Sequence, residues 1–196
     1  EFVKNQITQA NHINIDNSFW QPAFKYIYSA NLVLEKLLAS HQLSSSLKNQ
    51  LMGEAKFIRA FCYFHLVNLF GNVPLITSSK YQDAAIAPRA SMAEVYALII
   101  NDLNDGKTLL KEQYVTSEKV RPNKWTAAAM LSRCYLYNNR WQEAESESAA
   151  IINSGQYSLE SNLNNIFLKN SIEAIWQLKP VRPGFNTYEG LEILPA

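Results

Sequence analysis

The chain has 196 residues, of which 47% are hydrophobic and 18% charged, and its formal net charge is +1. This length predicts one domain or one large piece of a bigger protein, with enough apolar residues for a sizeable buried core. A nearly neutral chain without a run of basic residues is not expected to bind nucleic acid. No apolar stretch reaches the roughly 20 residues that a helix needs to span a bilayer.

The first two predicted helices follow a polar, Asn-rich opening segment, residues 1–18, for which we predict a loop. From Phe19, apolar side chains recur at intervals of three and four, which predicts a helix with one buried stripe. Pro22 suits the first turn of this helix. Serines at 44–46 supply N-cap candidates for a second helix over residues 47–70. The stripe of the first helix consists of Trp20, Ala23, Phe24, Ile27, Tyr28, Asn31, Leu34 and Leu38.

The second predicted helix is apolar on two opposed sides, which predicts packing between neighbours on both sides. Lys56 and Arg59 lie together on a third side. Gly71 suits the left-handed residue that closes a helix, and Pro74 cannot continue one. Residues 73–76 are therefore expected to be extended, as a strand or an anchored loop. One apolar arc holds Ala55, Ile58, Cys62, Leu66 and Leu69, and the other holds Phe57, Ala60, Phe64 and Val67.

Three further helices are predicted from their start signals. Ser91 and Glu94 form the S-x-x-E capping box of a third helix, in which Gly106 weakens the last turn. Pro122 suits the first turn of a fourth helix. Asn139 is a candidate cap for a fifth helix.

The fourth and fifth helices match the tetratricopeptide pattern when Ala128 takes its fourth position. Small residues in this pattern lie where two helices cross closely. The matching positions are Leu131, Ser132, Tyr135, Ala144 and Ile151. A looser copy lies upstream, since Ala-Phe-Cys-Tyr at 60–63 resembles Ser-Arg-Cys-Tyr at 132–135.

We therefore predict an all-α fold, a tetratricopeptide-like helical repeat array (an α-α superhelix) with long loops and one or two short strands. A single domain would occupy residues 1–196, with helix pairs at about 47–112 and 122–154. Residues 172–178 have the composition of a short strand. An ordinary helical bundle with chance spacing is the alternative.

Catalytic and metal-binding signals are sparse. The histidines, His12, His41 and His65, are scattered, and the sequence holds no H-E-x-x-H, C-x-x-C, G-x-S-x-G or P-loop motif. We predict that the protein is not an enzyme and uses no cofactor or metal, and we leave open a carboxylate pair that only folding would bring together. Cys62 and Cys134 are expected to be buried free thiols.

Aromatic side chains outside the predicted helices are the candidates for ligand binding, because pyranose C–H groups stack on aromatic faces and amides hydrogen-bond sugar hydroxyls. These loop aromatics are Tyr81, Tyr114, Tyr157, Phe185 and Tyr188, and the amides near them belong to Asn72 and Asn186. The selected ligand-binding candidates are Tyr81, Phe185, Asn186 and Tyr188. Ordinary packing within loops is the alternative for each of them.

Several segments resemble one known family, in the family's order. Two segments of the chain resemble the signature helix of the SusD/RagB family and its end. They are Glu-Ala-Lys-Phe-Ile-Arg-Ala-Phe-Cys-Tyr-Phe at 54–64 and Leu-Phe-Gly-Asn-Val-Pro-Leu at 69–75. Two later segments resemble the family's tetratricopeptide-like helix pair. They are Leu-Ser-Arg-Cys-Tyr-Leu-Tyr at 131–137 and Arg-Trp-Gln-Glu-Ala at 140–144. The likeness extends over residues 19–178.

Members of the SusD/RagB family are surface-exposed outer-membrane lipoproteins of Bacteroidetes-type bacteria. They bind glycans or other nutrients and lie over a SusC-like TonB-dependent transporter barrel. The resemblance implies a non-catalytic nutrient-binding protein, longer than this chain, with a lipidated N-terminal Cys that the chain does not contain. A generic tetratricopeptide scaffold that binds a protein partner is the alternative.

Overall fold

A computed structural model describes residues 16–169 and 171–180 of the chain. This described part is mainly helical. A π-helical turn, Asp16–Trp20, leads into the first helix, and a 3-10 turn, Leu163–Asn165, follows the last. The helices are α1 (Gln21–Ala39), α2 (Ser45–Phe70), α3 (Tyr81–Ala85), α4 (Met92–Leu109), α5 (Lys124–Tyr137) and α6 (Trp141–Asn153).

The strands β1 (Val73–Pro74) and β2 (Arg89–Ala90) pair antiparallel, with Val73 opposite Ala90. Successive long helices pack side by side, α1 on α2, α2 on α4, α4 on α5 and α5 on α6. The prediction of a tetratricopeptide-like helical array with one or two short strands is confirmed.

Helix α2 lies between α1 and α4, as its two apolar arcs predict. Towards α1, Ala55 packs against Ala30 and Leu34. Towards α4 the backbones approach closely, because a Cβ placed on Gly106 would lie 3.5 Å from the carbonyl oxygen of Gly53. Two-sided packing therefore explains why this helix is so apolar.

Both ends of α2 follow the sequence signals. The side chain of Ser44 accepts a hydrogen bond from the backbone N–H of Leu47. Gly71 has a φ of +69° and donates its N–H to the carbonyl of Val67. The chain then leaves the helix and enters β1.

The capping box of α4 is confirmed. Ser91 accepts from the backbone N–H of Glu94, and the Glu94 carboxylate accepts from the backbone N–H of Ser91. Gly106 is an interior residue of α4, which continues to Leu109. A Cβ at Gly106 would make only ordinary van der Waals contacts with Gly53 and Ala127, so the close approach of α2 leaves just enough room for one.

The turn between α5 and α6 differs from the prediction. Asn139 does not cap α6, because the N-cap residue is Arg140 and it makes no side-chain capping bond. Asn139 instead has a φ of +56°, a left-handed conformation that Asn tolerates better than most residues. The tight turn closes through the Arg140 N–H, which donates to the Tyr135 carbonyl at 2.9 Å.

The start of α5 is also shifted from the prediction. Asn123, not Pro122, borders the helix, and its side chain accepts from the backbone N–H of Thr126 at 2.9 Å. Pro122 therefore precedes the cap instead of occupying the first turn. The helix begins two residues later because the Asn side chain competes well for the N-cap position.

The crossing of α5 and α6 is close, as the small residues of the repeat pattern predict. The Ser132 hydroxyl donates to the carbonyl of Ala144 at 2.9 Å and lies 2.7 Å from the Ser148 hydroxyl. A larger side chain at Ser132 would displace this contact.

The short strand predicted at 172–178 is wrong. The chain there turns, since the Ala174 N–H donates to the Ser171 carbonyl. Lys119 donates its ammonium to the same carbonyl and to that of Ala174. A side chain therefore takes acceptors that a neighbouring strand would need. Backbone bonds to neighbouring segments occur at isolated points: the Ile172 carbonyl accepts from the Ser158 N–H at 3.4 Å, and the Gln177 N–H donates to the Lys119 carbonyl at 2.8 Å.

The two cysteines are free and buried, as expected. Burial raises the pKa of Cys62 to about 11. Burial also raises the pKa of Cys134 to about 12, against the opposing effect of nearby Arg133. Because the thiolate is the reactive form, both thiols are expected to be inert in the folded protein.

Candidate functional site

The connection from α2 to α4 carries Tyr81, the one selected ligand candidate that falls within the described residues. Its base is closed by the β1–β2 pair and by the Arg89 guanidinium, which donates to the Asn72 carbonyl at 2.9 Å. The carbonyl of Asn72 thus has a structural role, while Asn72 as a whole is exposed. Tyr81 is consequently presented by a loop whose two ends are tied together.

Tyr63 of α2 holds the loop by hydrogen bonds to Ile76. The backbone N–H of Ile76 donates to the Tyr63 hydroxyl at 2.7 Å, and that hydroxyl lies 3.1 Å from the Ile76 carbonyl. Burial raises the pKa of Tyr63 to about 12, although the hydrogen bond from Ile76 acts in the opposite direction. The phenol therefore stays neutral and can both donate and accept.

Asn31 of α1 ties the same loop to the helices. Its side-chain amide donates to the carbonyls of Ile76 and Ser78 at 3.0 and 3.2 Å. Its side-chain oxygen accepts from Arg59 at 2.7 Å. Asn31 is fully buried, and both the nitrogen and the oxygen of its side-chain amide have hydrogen-bond partners, as buried polar groups require.

Arg59 and Asp102 form a buried ion pair beneath the loop. The guanidinium contacts both carboxylate oxygens, at 2.7 and 2.8 Å. Lys56 donates to Asp102 at 3.1 Å and to Asp105 at 2.7 Å. Burial disfavours the charged form of Lys56, but the carboxylates of Asp105 and Asp102 outweigh burial and raise its pKa. Asp102 and Asp105 together thus balance the charges of Lys56 and Arg59 at the α2–α4 interface.

These charged and polar partners were missed at the sequence level. Asn31 was only a member of the stripe of the first predicted helix, and Asp102 has the helical spacing of Val95 and Ile99 in the third. A usable signal was present. Each is a polar residue within an otherwise apolar stripe, and Lys56 and Arg59 occupy one side of a mostly apolar helix. Buried polar groups require partners, so the four residues are candidates for one another.

Glu35 of α1 binds the next residue of the loop, Ser79. Its carboxylate accepts from the backbone N–H of Ser79 at 2.8 Å and also from the Ser79 hydroxyl. These hydrogen bonds lower the pKa of Glu35. The short helix α3 begins just beyond, with Tyr81 as its first residue and 79% of that residue exposed. An exposed ring on an anchored backbone is available for stacking.

The other selected candidates, Phe185, Asn186 and Tyr188, lie outside the described residues. Whether they join Tyr81 in one site stays a prediction.

Tyr114 and Tyr157, the remaining loop aromatics, pack against each other. Their hydroxyl oxygens lie 2.7 Å apart, and Tyr114 donates to the Ile175 carbonyl at 2.6 Å. Asn123 donates to the Tyr157 hydroxyl at 3.2 Å. Burial and the Tyr157 hydroxyl raise the pKa of Tyr114. For this pair the alternative of ordinary loop packing is the correct one.

Two kinds of feature are absent from residues 16–169 and 171–180. No cluster of three or more His, Cys, Asp or Glu side chains is arranged to hold a metal ion. None of the helices in that part of the chain is both long and apolar enough to cross a membrane.

An array of paired helices with one long anchored loop defines a tetratricopeptide-like scaffold. Residues 1–136 match the model of the SusD-like family described as starch-binding and associating with the outer membrane. The chain belongs to this SusD-like family, as the sequence resemblance predicted.

Individual relatives agree with the family assignment. A SusD-like protein of Formosa agariphila is 28% identical over 163 residues, which cover 81% of this chain and 31% of that protein. A SusD-like protein of Bacteroides ovatus is 31% identical over 144 residues, or 72% of this chain and 26% of that protein. The matched part of the chain therefore spans between a quarter and a third of the length of these relatives.

Solved structures of the family share the fold. A SusD-like protein from Bacteroides fragilis superposes with a TM-score of 0.78 at 28% identity, covering 86% of this chain and 34% of that one. A laminarin-binding SusD-like protein superposes with a TM-score of 0.71 at 29% identity, covering 76% of this chain and 34% of its own.

Proposed function

We propose that this chain is the helical-repeat part of a non-catalytic glycan-binding protein of the outer membrane, which passes its ligand to a SusC-like TonB-dependent transporter. The observation that carries the proposal is the family match over residues 1–136, with its description as starch-binding and associated with the outer membrane. The laminarin-binding relative with the same fold supports a glycan as the ligand class.

The anchored loop supports a binding role for Tyr81. Asn31, Tyr63 and Glu35 fix the backbone at residues 76–79, immediately before the exposed ring. A ring that is already held in place loses little conformational entropy when a sugar stacks on it. We assign Tyr81 to the glycan contact together with Phe185, Asn186 and Tyr188, which would supply further rings and an amide.

Glycan binding is tested with the full-length protein by isothermal titration calorimetry and affinity gel electrophoresis. The panel should contain starch, laminarin and other polysaccharides, with peptides as a second ligand class. We expect saturable binding to at least one glycan. Failure of every glycan, or binding to peptides alone, would remove the glycan proposal.

The contribution of Tyr81 is tested by Tyr81→Ala in the same full-length protein. Loss of one stacked ring should weaken binding by about 1–2 kcal/mol, or roughly five- to thirtyfold in Kd. Tyr26→Ala is a matched control, since Tyr26 is also an exposed tyrosine, at 57%, but belongs to α1 and not to the connection that carries Tyr81. Equal affinities for the two variants would exclude Tyr81 from the site. Alanine variants of Phe185, Asn186 and Tyr188 extend the comparison.

The transporter, the lipid anchor and the lack of catalysis need separate measurements. Co-purification from outer membranes should recover a TonB-dependent barrel, and the native protein should incorporate a radiolabelled fatty acid at an N-terminal Cys. Incubation with the bound glycan should release no reducing ends. Recovery of the protein without a barrel, without label, or with hydrolysis would each overturn the corresponding part of the proposal.

A further inference from the structure

One buried residue from each of three helices forms a continuous series of hydrogen bonds that ends on the loop before Tyr81. Asp102 of α4 binds Arg59 of α2 through both carboxylate oxygens, at 2.7 and 2.8 Å. The remaining guanidinium nitrogen, Nη1, donates to the side-chain oxygen of Asn31 of α1 at 2.7 Å. Arg59 is 7% exposed, and the other two residues are fully buried. We call Asp102, Arg59 and Asn31 the relay.

The relay determines which way the Asn31 amide points. The two ends of a side-chain amide have nearly the same shape, but the nitrogen only donates hydrogen bonds and the oxygen only accepts them. A guanidinium only donates, so the amide oxygen must face Arg59. The amide nitrogen then faces the loop, where it donates to the carbonyls of Ile76 and Ser78 at 3.0 and 3.2 Å. In the reverse orientation, all three contacts would set donor against donor or acceptor against acceptor.

Asp102 in turn fixes the plane of the guanidinium. Two parallel N–H···O bonds between an arginine and a carboxylate hold both groups in one geometry. Arg59 makes this pair with Nε and Nη2, which leaves Nη1 to donate to Asn31. Asp102 therefore acts on the loop through the other two members of the relay.

We propose that Arg59 is a positioning residue for the loop that carries Tyr81, and that it acts by setting the orientation of the Asn31 amide. The segment that this amide holds lies within residues 76–79, immediately before Tyr81, which is 79% exposed. The consequence for ligand binding rests on the proposed function, in which Tyr81 contacts the glycan. The positioning itself is a property of the free protein and requires no ligand.

The first test replaces the whole buried ion pair by apolar side chains, Arg59→Met with Asp102→Leu, in the full-length protein. Such an exchange typically preserves or raises stability, because no buried charge is left without a partner. Lys56 keeps Asp105 as its partner, at 2.7 Å. The Asn31 amide loses the donor that orients it, so the loop should loosen while the helices stay packed.

Hydrogen exchange followed by peptide mass spectrometry measures this separation. We expect the melting temperature to stay within about 5 °C of the parent value, and exchange at residues 76–79 to accelerate at least about fivefold. Exchange in α6 should not change, because that helix lies outside the relay. Unchanged exchange at residues 76–79 in the folded double variant would overturn the proposal.

Arg59→Lys keeps the proposal testable if the double variant does not fold. A lysine retains the positive charge beside Asp102, but its single ammonium cannot reproduce the planar fork that binds the carboxylate and Asn31 together. We expect the same local acceleration at residues 76–79. Asp105→Asn is the matched control, since it alters the same helix interface without removing a member of the relay. Equal acceleration in the two variants would indicate a general loosening and would overturn the role of Arg59.

Calorimetry with laminarin connects the relay to binding. The double variant should weaken laminarin binding at least about threefold, and the same exchange made in a Tyr81→Ala background should cause no further loss. An equal loss in both backgrounds would overturn a role that acts through Tyr81. If the parent protein does not bind laminarin, the glycan assignment fails for this probe, whereas the exchange measurements still decide whether Arg59 positions the loop.

Discussion

The two helix pairs, α2–α4 and α5–α6, share one repeat geometry but are joined by different chemistry. Between α2 and α4, the buried Arg59–Asp102 ion pair spans the interface. Between α5 and α6, the Ser132 hydroxyl contacts Ser148 and the backbone. The first pair is separated by the long anchored loop, whereas the second turns within a few residues.

This difference shows that close helix crossing and a short connection are independent properties of the repeat. Small residues permit the crossing in both pairs, Gly53 in the first and Ser132 in the second. The long connection is tolerated in the first pair because side chains of α1 and α2 satisfy its backbone groups. The charged interface of that pair accordingly supports the loop as well as the helices.

Removing the negative charge of the first interface should have the largest effect. Asp102→Asn keeps the volume but leaves Arg59 buried without its counter-charge, which typically costs about 3–5 kcal/mol of unfolding free energy. Urea unfolding followed by circular dichroism measures the loss. Asp105→Asn is the control, since the Asp105 side chain is 47% exposed and pairs only with Lys56 among these cations. Similar losses for the two variants would contradict a special role for the buried pair.

Filling the close contact of the first pair should be the next most costly change. A Cβ on Gly53 would lie 2.7 and 2.9 Å from the Cγ and Cδ2 atoms of Leu110. Gly53→Ala should therefore cost about 1–3 kcal/mol through overpacking. At Gly106 the new Cβ meets only ordinary contacts, so Gly106→Ala should be neutral or stabilise α4 by up to about 1 kcal/mol. Melting temperatures that rank the two variants in the opposite order would refute this packing.

Detaching the loop from α2 should cost less. Tyr63→Phe removes the acceptor of the Ile76 N–H and should lower the unfolding free energy by about 1–2 kcal/mol. Hydrogen exchange at Ile76 should accelerate, which a general loss of stability alone would not confine to that region. Tyr26→Phe is the control, because Tyr26 is exposed on α1. Unchanged exchange at Ile76 would mean that Tyr63 does not hold the loop.

The second pair should be the less sensitive of the two interfaces. Ser132→Ala removes one partly buried neutral hydroxyl together with its hydrogen bonds to the Ala144 carbonyl and to Ser148. It should lower the unfolding free energy by about 0.5–1.5 kcal/mol and leave the close crossing intact. Ser146→Ala, at an exposed position of α6, should change stability less still. A loss at Ser132 equal to that of Asp102→Asn would erase the contrast between the pairs.

The smallest effect is expected at Glu118, outside both pairs. Lys169 and Lys179 hydrogen-bond its carboxylate and lower its pKa from the usual 4.5 to about 2. Because the folded pKa is the lower one, the stabilisation is fully present above pH 4.5 and is lost as the pH falls towards 2. The stability difference between the protein and Glu118→Gln should shrink over that range and with added salt. A difference independent of pH would contradict the ion pairs.

Local sequence signals predicted most of the helix boundaries. Ser91 with Glu94, and Gly71 after α2, involve residues within one or two turns, so their geometry follows from nearby sequence alone. Asn139 was assigned the wrong role because Asn suits both an N-cap and a left-handed turn. The tight connection of α5 to α6 selects the second role.

Contacts between distant residues were less predictable. The Arg59–Asp102 pair joins residues 43 positions apart, and no local pattern gives the distance between two helices. Residues 172–178 read as a strand, but a turn and the Lys119 ammonium decide their structure. For the candidate site, the loop position of Tyr81 correctly predicted exposure, whereas the same reasoning could not separate it from the packed Tyr114.

The bridge between Val73 and Ala90 has a consequence for variation within such proteins. The bridge holds the two ends of the connection together, so the residues between them form a closed tip. A change in the length of this tip need not move α2 or α4. Lengthening a closed loop costs little, about 0.6 kcal/mol for each doubling. Insertions and exchanges beyond the anchored residues 76–79 are therefore expected to be tolerated thermodynamically, and a new recognition surface can arise there while the helices keep their arrangement.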